Sequence, residues 1–275
     1  MPYVRNKGVN IYYEVEDGPE PAMVFVHGWT ANLNFWREQR SYFMGRNKMI
    51  FIDNRGHGQS EKPLEKELYS LDHFVSDLNA VVKDVGVEKF ILIGHSMGSM
   101  ISLKYAHEFP DEVVALILLG GGVRIRAFHR YGYPLALLLG KVAYTFSSKY
   151  VARLSFSDEA KELREWGWKQ AMEFSPSYAV INVYRTLARI DLRKVAREID
   201  IPTLIIVGKE DKALPVSKSL ELNALIRNSK LVVVPKAGHC VMLERPKEVN
   251  SAIDDFILDL NLDDLYTGKV LNREV

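Results

Sequence analysis

Short apolar runs alternate along the chain with segments in which apolar residues recur at helical spacing. The runs predict strands at residues 11–15, 22–26, 49–52, 90–93, 114–119, 203–207 and 231–234. Helical spacing predicts helices at residues 70–85, 97–109, 217–225 and 247–260. Unbroken apolar strands that alternate with helices are typical of a parallel sheet covered by helices on both faces, so the pattern predicts an α/β fold.

The alternation is interrupted once, between residues 121 and 190. No clear strand is predicted there, and the stretch is rich in tyrosine, tryptophan and phenylalanine. We interpret it as a helical insertion that covers the strand ends. The alternative is a few ordinary helices at the side of the sheet. The preferred division is a core domain at residues 1–120 and 191–275 and a helical cap at 121–190.

Composition narrows the function classes. The 275 residues are 47% hydrophobic and 26% charged, which is ordinary for a globular domain. With 36 Lys and Arg against 35 Asp and Glu, the net charge of +1 offers no general attraction for nucleic acid. A single cysteine, Cys240, excludes an internal disulfide. No apolar run suggests a signal peptide or a membrane span, so a cytoplasmic protein is expected.

The sequence Gly94-His95-Ser96-Met97-Gly98 follows a predicted strand and opens a predicted helix. A Gly-x-Ser-x-Gly pentapeptide in this context forms a sharp turn that lifts the serine hydroxyl above the edge of the sheet. The backbone N–H of Met97 then lies at a helix N-terminus, where negative charge is favoured. The motif therefore predicts Ser96 as a nucleophile.

A serine nucleophile needs a base, and the base needs a carboxylate to orient it. Among the seven histidines, His239 follows the last predicted strand and should reach the same sheet edge as Ser96. Asp211 follows the preceding predicted strand and is the expected acid, with the adjacent Glu210 as its rival. Cys240 is expected to be a small buried side chain, because Ser96 already occupies the nucleophile position.

A second backbone donor is predicted near the first buried strand. In His27-Gly28-Trp29, the N–H of Trp29 can join that of Met97 in an oxyanion hole, while the indole ring packs in the core. No cluster of histidine, cysteine and carboxylate residues has the spacing of a metal site, so neither a metal nor a cofactor is expected.

In these motifs the sequence resembles the α/β-hydrolase superfamily. Besides the segments above, Asp53-Asn54-Arg55-Gly56-His57-Gly58-Gln59-Ser60 is similar to the superfamily's Asp-x-x-Gly-His-Gly-x-Ser segment, which supports the oxyanion loop. The resemblance implies an eight-stranded, mostly parallel sheet with a helical cap after the sixth strand, and a Ser96–Asp211–His239 triad. Ser99 departs from the pattern, since many members have a second glycine there.

The expected activity is hydrolysis of a small carboxylic ester through an acyl-enzyme. The superfamily also contains dehalogenases and epoxide hydrolases, but these attack with a carboxylate, and position 96 is a serine. Thioester hydrolysis, for example of acyl-CoA, is the main alternative, and C–C hydrolase and perhydrolase activities are weaker ones. A non-catalytic binding protein with this fold is the alternative from another class.

The charge distribution suggests a further feature of the cap. Residues 113–157 contain no Asp or Glu but carry six Lys and Arg residues. We hypothesise that Arg124, Arg126 and Arg130 favour an anionic ligand, such as the phosphates of coenzyme A. Two other interpretations stay open: the acidic residues of segment 158–165 could neutralise the basic stretch, or it could form an interfacial patch.

Overall fold

The computed structural model describes residues 2–125 and 140–260. These ranges contain eight strands: β1 (Tyr3–Asn6), β2 (Val9–Glu16), β3 (Ala22–Val26), β4 (Met49–Ile52), β5 (Phe90–His95), β6 (Val113–Leu119), β7 (Thr203–Gly208) and β8 (Ser229–Val234). They form one sheet in the order β1-β2-β4-β3-β5-β6-β7-β8, in which β1 and β2 pair antiparallel with their neighbours and all other pairs are parallel. The predicted mostly parallel sheet is confirmed.

Only β1 lacks a counterpart among the predicted strands. Its residues alternate between exposed and half-buried positions at the sheet edge, so they show no apolar run. Strands β2 and β8 are longer than the predicted strands 11–15 and 231–234. Both include polar residues that face solvent, so they extend beyond the apolar runs. The apolar pattern is therefore weakest in the strands at the sheet edges, β1 and β8, and in β2 beside β1.

The described helices either cover the two faces of the sheet or belong to the insertion that follows β6. They are α1 (Arg37–Phe43), α2 (Leu71–Val85), α3 (Met97–Glu108), α4 (Gly140–Ser155), α5 (Lys161–Phe174), α6 (Ser177–Leu187), α7 (Arg193–Glu198), α8 (Val216–Leu225), α9 (Val241–Glu244) and α10 (Pro246–Asp259). Short 3-10 helices lie at Leu33–Trp36 and Lys66–Tyr69. No helix in the described ranges is long and apolar enough to cross a membrane.

Side-chain alternation along the strands divides the core into two layers. In β3, Val24 and Val26 belong to a cluster that includes residues of α2 and α3. Met23 and Phe25 point the other way, into a cluster with Trp36 and residues of α10. Because both faces of the central strands are buried, these strands appear in the sequence as unbroken apolar runs.

The insertion between β6 and β7 is helical in the part that the structure describes. It contains the helices α4, α5 and α6. Among its described residues no strand is found, and the only β-bridge is the isolated one between Arg124 and Asp191. The insertion packs on loops that follow strands: Trp29 donates its indole N–H to the carbonyl of Val180 (3.1 Å), and Tyr178 donates its hydroxyl to the carbonyl of Lys62 (2.9 Å). The helical cap after the sixth strand is confirmed, and its limits at residues 121 and 190 remain a prediction.

Candidate active site

Ser96 lies in the sharp turn between β5 and α3. Its backbone has φ 54° and ψ −113°, a conformation that non-glycine residues rarely adopt. The turn is held by the Ser96 N–H, which donates to the carbonyl of Leu119 (2.9 Å). A side chain at Gly98 would overlap the carbonyl oxygen of Val26, so only glycine lets the helix approach β3 this closely. These contacts stabilise the unfavourable backbone at Ser96.

Ser99, the departure from the superfamily pattern, strengthens the same turn. Its hydroxyl is within hydrogen-bonding distance of the carbonyl oxygens of Gly94 (2.8 Å) and Leu119 (3.1 Å). The side chain is 2% exposed. A serine here therefore ties the first turn of α3 to the ends of β5 and β6.

His239 and Asp211 are in direct contact at the carboxyl ends of β7 and β8. The imidazole Nδ1 of His239 is 2.7 Å from Oδ2 of Asp211, and both residues are buried. The other carboxylate oxygen accepts the backbone N–H groups of Ala213 (2.9 Å) and Leu214 (2.7 Å). Glu210, the rival acid, is exposed to solvent. The carboxylate that contacts the imidazole is thus that of Asp211.

A cavity of about 150 Å³ joins Ser96 to His239, and Trp29, Met97 and Cys240 also line it. Its other described lining residues come mainly from α4, α5 and α6. None of the described lining residues is Asp, Glu, Lys or Arg. Cys240 is 2% exposed, and burial raises the pKa of its thiol well above the usual range, which agrees with the small buried side chain expected from the sequence.

The loop that carries Trp29 lies against the serine turn. At Gly28, a Cβ atom would be 3.1 Å from Cβ of Ser96 and 2.9 Å from Nδ1 of His95, so glycine permits this close approach. Met97 is the first residue of α3, where backbone N–H groups have no partner within the helix. The two predicted oxyanion donors are therefore in segments that flank Ser96.

The Asp53–Ser60 segment supports this loop, as the resemblance implies. Asn54 donates its backbone N–H to Nε2 of His27 and its side-chain amide to the carbonyl of His27, both at 3.0 Å. The carboxylate of Asp53 accepts the backbone N–H groups of Leu33 (2.8 Å) and Gln59 (2.7 Å). Burial raises the pKa of Asp53 to about 6.

Of the three basic residues predicted for the cap, the structure describes only Arg124. Arg126 and Arg130 lie outside the described residues. Arg124 is described, and its guanidinium is 3.3 Å from the carboxylate of Glu221. It is not among the described residues that line the cavity. Nothing in the described part of the chain supports a coenzyme A site at these three positions.

Two residues that the sequence analysis did not select hold the loop of His239. The Nε2 atom of buried His95 is 3.0 Å from the carbonyl oxygen of His239, and the two rings are 4.8 Å apart. The carboxylate of Glu244 accepts the backbone N–H groups of Gly238 (3.0 Å) and Ser157 (3.1 Å). His95 could have been selected from the sequence because it directly precedes Ser96, whereas no local motif distinguishes Glu244.

Comparison with known proteins agrees with this arrangement. Residues 17–246 match the model of the Hydrolase_4 family, which is described as serine aminopeptidase, S33. The chain belongs to this family of α/β hydrolases. The resemblance found in the sequence motifs is thereby confirmed, and family membership supports hydrolase activity.

Individual relatives of this α/β hydrolase differ in their described activities. AB hydrolase superfamily protein YisY of Bacillus subtilis (strain 168) is 34% identical over 88% of this chain and 94% of its own length. Epoxide hydrolase 1 of Caenorhabditis elegans is 25% identical over 93% of this chain and 69% of its own length. The structure of the esterase EaEST from Exiguobacterium antarcticum superposes with a TM-score of 0.83 and 26% identity, covering 93% of this chain and 98% of that one.

Proposed function

We propose that this α/β hydrolase cleaves small, neutral carboxylic esters through an acyl-enzyme on Ser96. The observation that carries the proposal is the shared cavity: Ser96, in its strained turn, lines the same space as His239, whose imidazole contacts Asp211. A serine, a histidine and a carboxylate in this chain order are the parts needed to activate a hydroxyl. The esterase EaEST, with its similar fold, is consistent with this activity.

The protonation of His239 follows from its contact with Asp211. A carboxylate only accepts hydrogen bonds, so in the neutral ring Nδ1 of His239 carries the proton and Nε2 has the lone pair. In the proposed reaction, Nε2 takes the proton from the Ser96 hydroxyl as its oxygen attacks the ester carbonyl. It then returns that proton to the departing alcohol, and water enters by the same route to release the acid.

The oxyanion that forms during attack needs donors that are already in place. In the proposal, the backbone N–H groups of Trp29 and Met97 donate to it, and the start of α3 adds the positive end of a helix dipole. The indole ring of Trp29 is held separately by its bond to Val180. The backbone can therefore act while the ring packs against the cap.

The cavity favours an apolar, uncharged substrate. Its described lining contains no Asp, Glu, Lys or Arg, so an ionised acyl group would lose its hydration without gaining a partner of opposite charge. A volume of about 150 Å³ is comparable to apolar cavities that hold a benzene-sized molecule. We therefore propose acyl groups of roughly six carbon atoms as the best fit to this space.

Ser96 also argues against epoxide hydrolysis, although epoxide hydrolase 1 is a relative. That chemistry, as the superfamily resemblance implies, uses a carboxylate to form an ester with the substrate. A serine would instead leave an ether bond to the opened epoxide, which water does not readily cleave. An acyl group on Ser96 is an ester and can be hydrolysed.

The test is the Ser96→Ala variant, assayed with p-nitrophenyl butyrate and treated with a fluorinated alkyl phosphonate. We expect a loss of about a millionfold in kcat and no labelling, because the nucleophile is absent. Ser102→Ala is the matched control, since Ser102 lies on the same helix, is buried and has no hydrogen-bond partner among the described residues. Activity within tenfold of wild type in Ser96→Ala, or phosphonate bound elsewhere, would exclude the proposed nucleophile.

A further inference from the structure

A second concave surface lies between α4 and α5. It has a volume of about 490 Å³ and is lined by Lys149, Ala152, Arg153, Asp158, Lys161, Arg164, Glu165 and Trp168. Lys149 and Arg153 are four residues apart on α4. On α5, residues 161, 164, 165 and 168 have the spacing of one helical face. Helical periodicity thus directs four cationic side chains from two helices into one groove, which we call the basic groove.

The four cations of the basic groove have no ion-pair partner in the described part of the chain. The two acidic residues in its lining are engaged elsewhere: Asp158 with Lys212 at 2.9 Å and Glu165 with Lys169 at 3.8 Å. Within the described residues, the acidic residues of segment 158–165 thus form no ion pair with Lys149 or Arg153 of α4.

The two carboxylates in the lining, Asp158 and Glu165, reduce the positive charge of the basic groove but do not cancel it. The hydrogen bond from Lys212 holds the pKa of Asp158 below its usual range, and Arg153 and Arg164 lower it further by their charge. Glu159, next along the chain, is 3.8 Å from Arg245. Counting only the groove lining, four positive groups face two negative ones that already have lysine partners.

The basic groove and the active-site cavity share part of their lining. Trp168 lines both spaces, as does Ala152. The indole N–H of Trp168 donates to the hydroxyl of Ser148 (3.0 Å), and the ammonium group of Lys149 lies 4.6 Å from the ring centroid. The ring position is thereby restrained, and Lys149 is held over one of its faces.

We propose that the basic groove binds a phosphate-bearing small molecule. Two arginines and two lysines suit a multiply charged anion, because each guanidinium can donate two parallel hydrogen bonds to phosphate oxygens while each ammonium supplies a compact charge. The phosphate belongs either to the far end of an ester or thioester whose acyl group lies in the cavity or to a separate molecule. This site is independent of the proposed esterase chemistry, since binding requires none of the catalytic residues.

The test measures binding of inorganic pyrophosphate by isothermal titration calorimetry. The double variant Arg153→Gln with Arg164→Gln should bind about tenfold more weakly than wild type, because it loses two charge-assisted contacts. The control, Arg197→Gln with Arg227→Gln, removes the same charge at exposed arginines for which the described residues show no ion pair. Wild type and control should bind alike, and their affinity should fall as salt is added. Equal weakening in both double variants, or no binding to wild type, would overturn the proposal.

The origin of the phosphate is resolved by comparing kcat/KM for butyryl-CoA and p-nitrophenyl butyrate. If the phosphate belongs to the substrate, the groove variant loses about tenfold on butyryl-CoA only. If a separate molecule binds, the variant loses pyrophosphate affinity while the ratio of the two kcat/KM values stays that of wild type. The pyrophosphate titration does not depend on Ser96, because binding is measured without turnover, and the affinity should persist in Ser96→Ala.

Discussion

Acid should destabilise this protein through the buried imidazole of His57. The ring has no solvent exposure; its Nδ1 is 3.1 Å from the carbonyl oxygen of Arg55, and its Nε2 has no hydrogen-bond partner among the described residues. Nδ1 therefore carries the single proton of the neutral ring. A second proton on Nε2 would place an unsolvated charge in the segment that supports the oxyanion loop. Burial accordingly lowers the pKa of His57 to about 4.

The magnitude follows from the difference in proton binding between the two states. In the unfolded chain the imidazole has a pKa of about 6.5, so between pH 6.5 and pH 4 the unfolded state holds a proton that the folded state lacks. Stability is thus lost as pH falls through this window, by about 1.4 kcal/mol for each pH unit. From pH 7 to pH 5 the loss from His57 is about 2 kcal/mol, a substantial fraction of the 5–15 kcal/mol that stabilises a typical domain.

The assay is urea unfolding at pH 7 and pH 5 of wild type and His57→Asn. The asparagine amide can donate to the Arg55 carbonyl but does not titrate, so the variant should lose about 2 kcal/mol less than wild type between the two pH values. Other titrating groups, including His27 and Asp53, are common to both proteins and cancel in the comparison. His107→Asn is the control, because that ring lies at the surface beside Glu198.

One result would refute this reasoning directly. If wild type and His57→Asn lose the same stability between pH 7 and pH 5, the imidazole must accept its second proton in the folded state without penalty. An imidazole signal of His57 that titrates near pH 6.5 in the folded protein would lead to the same conclusion. A change in pH dependence of equal size in His107→Asn would show that the effect is not specific to the buried site.

Three further predictions concern the candidate active site. Asp211→Asn should lower kcat by about 10⁴ because it favours the wrong tautomer of the base; a larger loss in Glu210→Gln would reassign the acid. Ala171→Leu should fill the cavity and lower kcat/KM for p-nitrophenyl hexanoate more than for the acetate, and an equal loss on both would contradict the proposed acyl site. His95→Phe should remove the bond to the His239 carbonyl and lower kcat rather than raise KM, with partial rescue in His95→Gln; activity like wild type in His95→Phe would exclude a positioning role.

The serine turn could be predicted from sequence because its requirements are local. A strand that ends at position 95, a helix that starts at 97 and glycines at 94 and 98 are all specified within a few residues. The apolar runs likewise predicted the central strands, since a strand buried on both faces needs apolar residues at every position. The edge strand β1 has no such need, and its pattern was correspondingly uninformative.

The choice between Asp211 and Glu210 shows where local information ends. The two carboxylates are neighbours after β7, and the chain direction at that point decides which of them contacts His239 and which faces solvent. The same holds for Glu244, whose carboxylate accepts the backbone N–H of nearby Gly238 and that of Ser157, which lies 87 residues before Glu244 in the sequence. Such partners depend on packing between distant segments.

Electrostatic properties also depended on the tertiary structure. Sequence alone located a basic stretch after β6. It could not show that Arg124 lies beside Glu221, or that Arg153 of α4 and Arg164 of α5 line the same groove. Nor could it show that His57 is fully buried. Backbone conformation and hydrophobic periodicity are set by near neighbours along the chain, whereas burial, ion pairing and pKa are set by groups that only folding brings together.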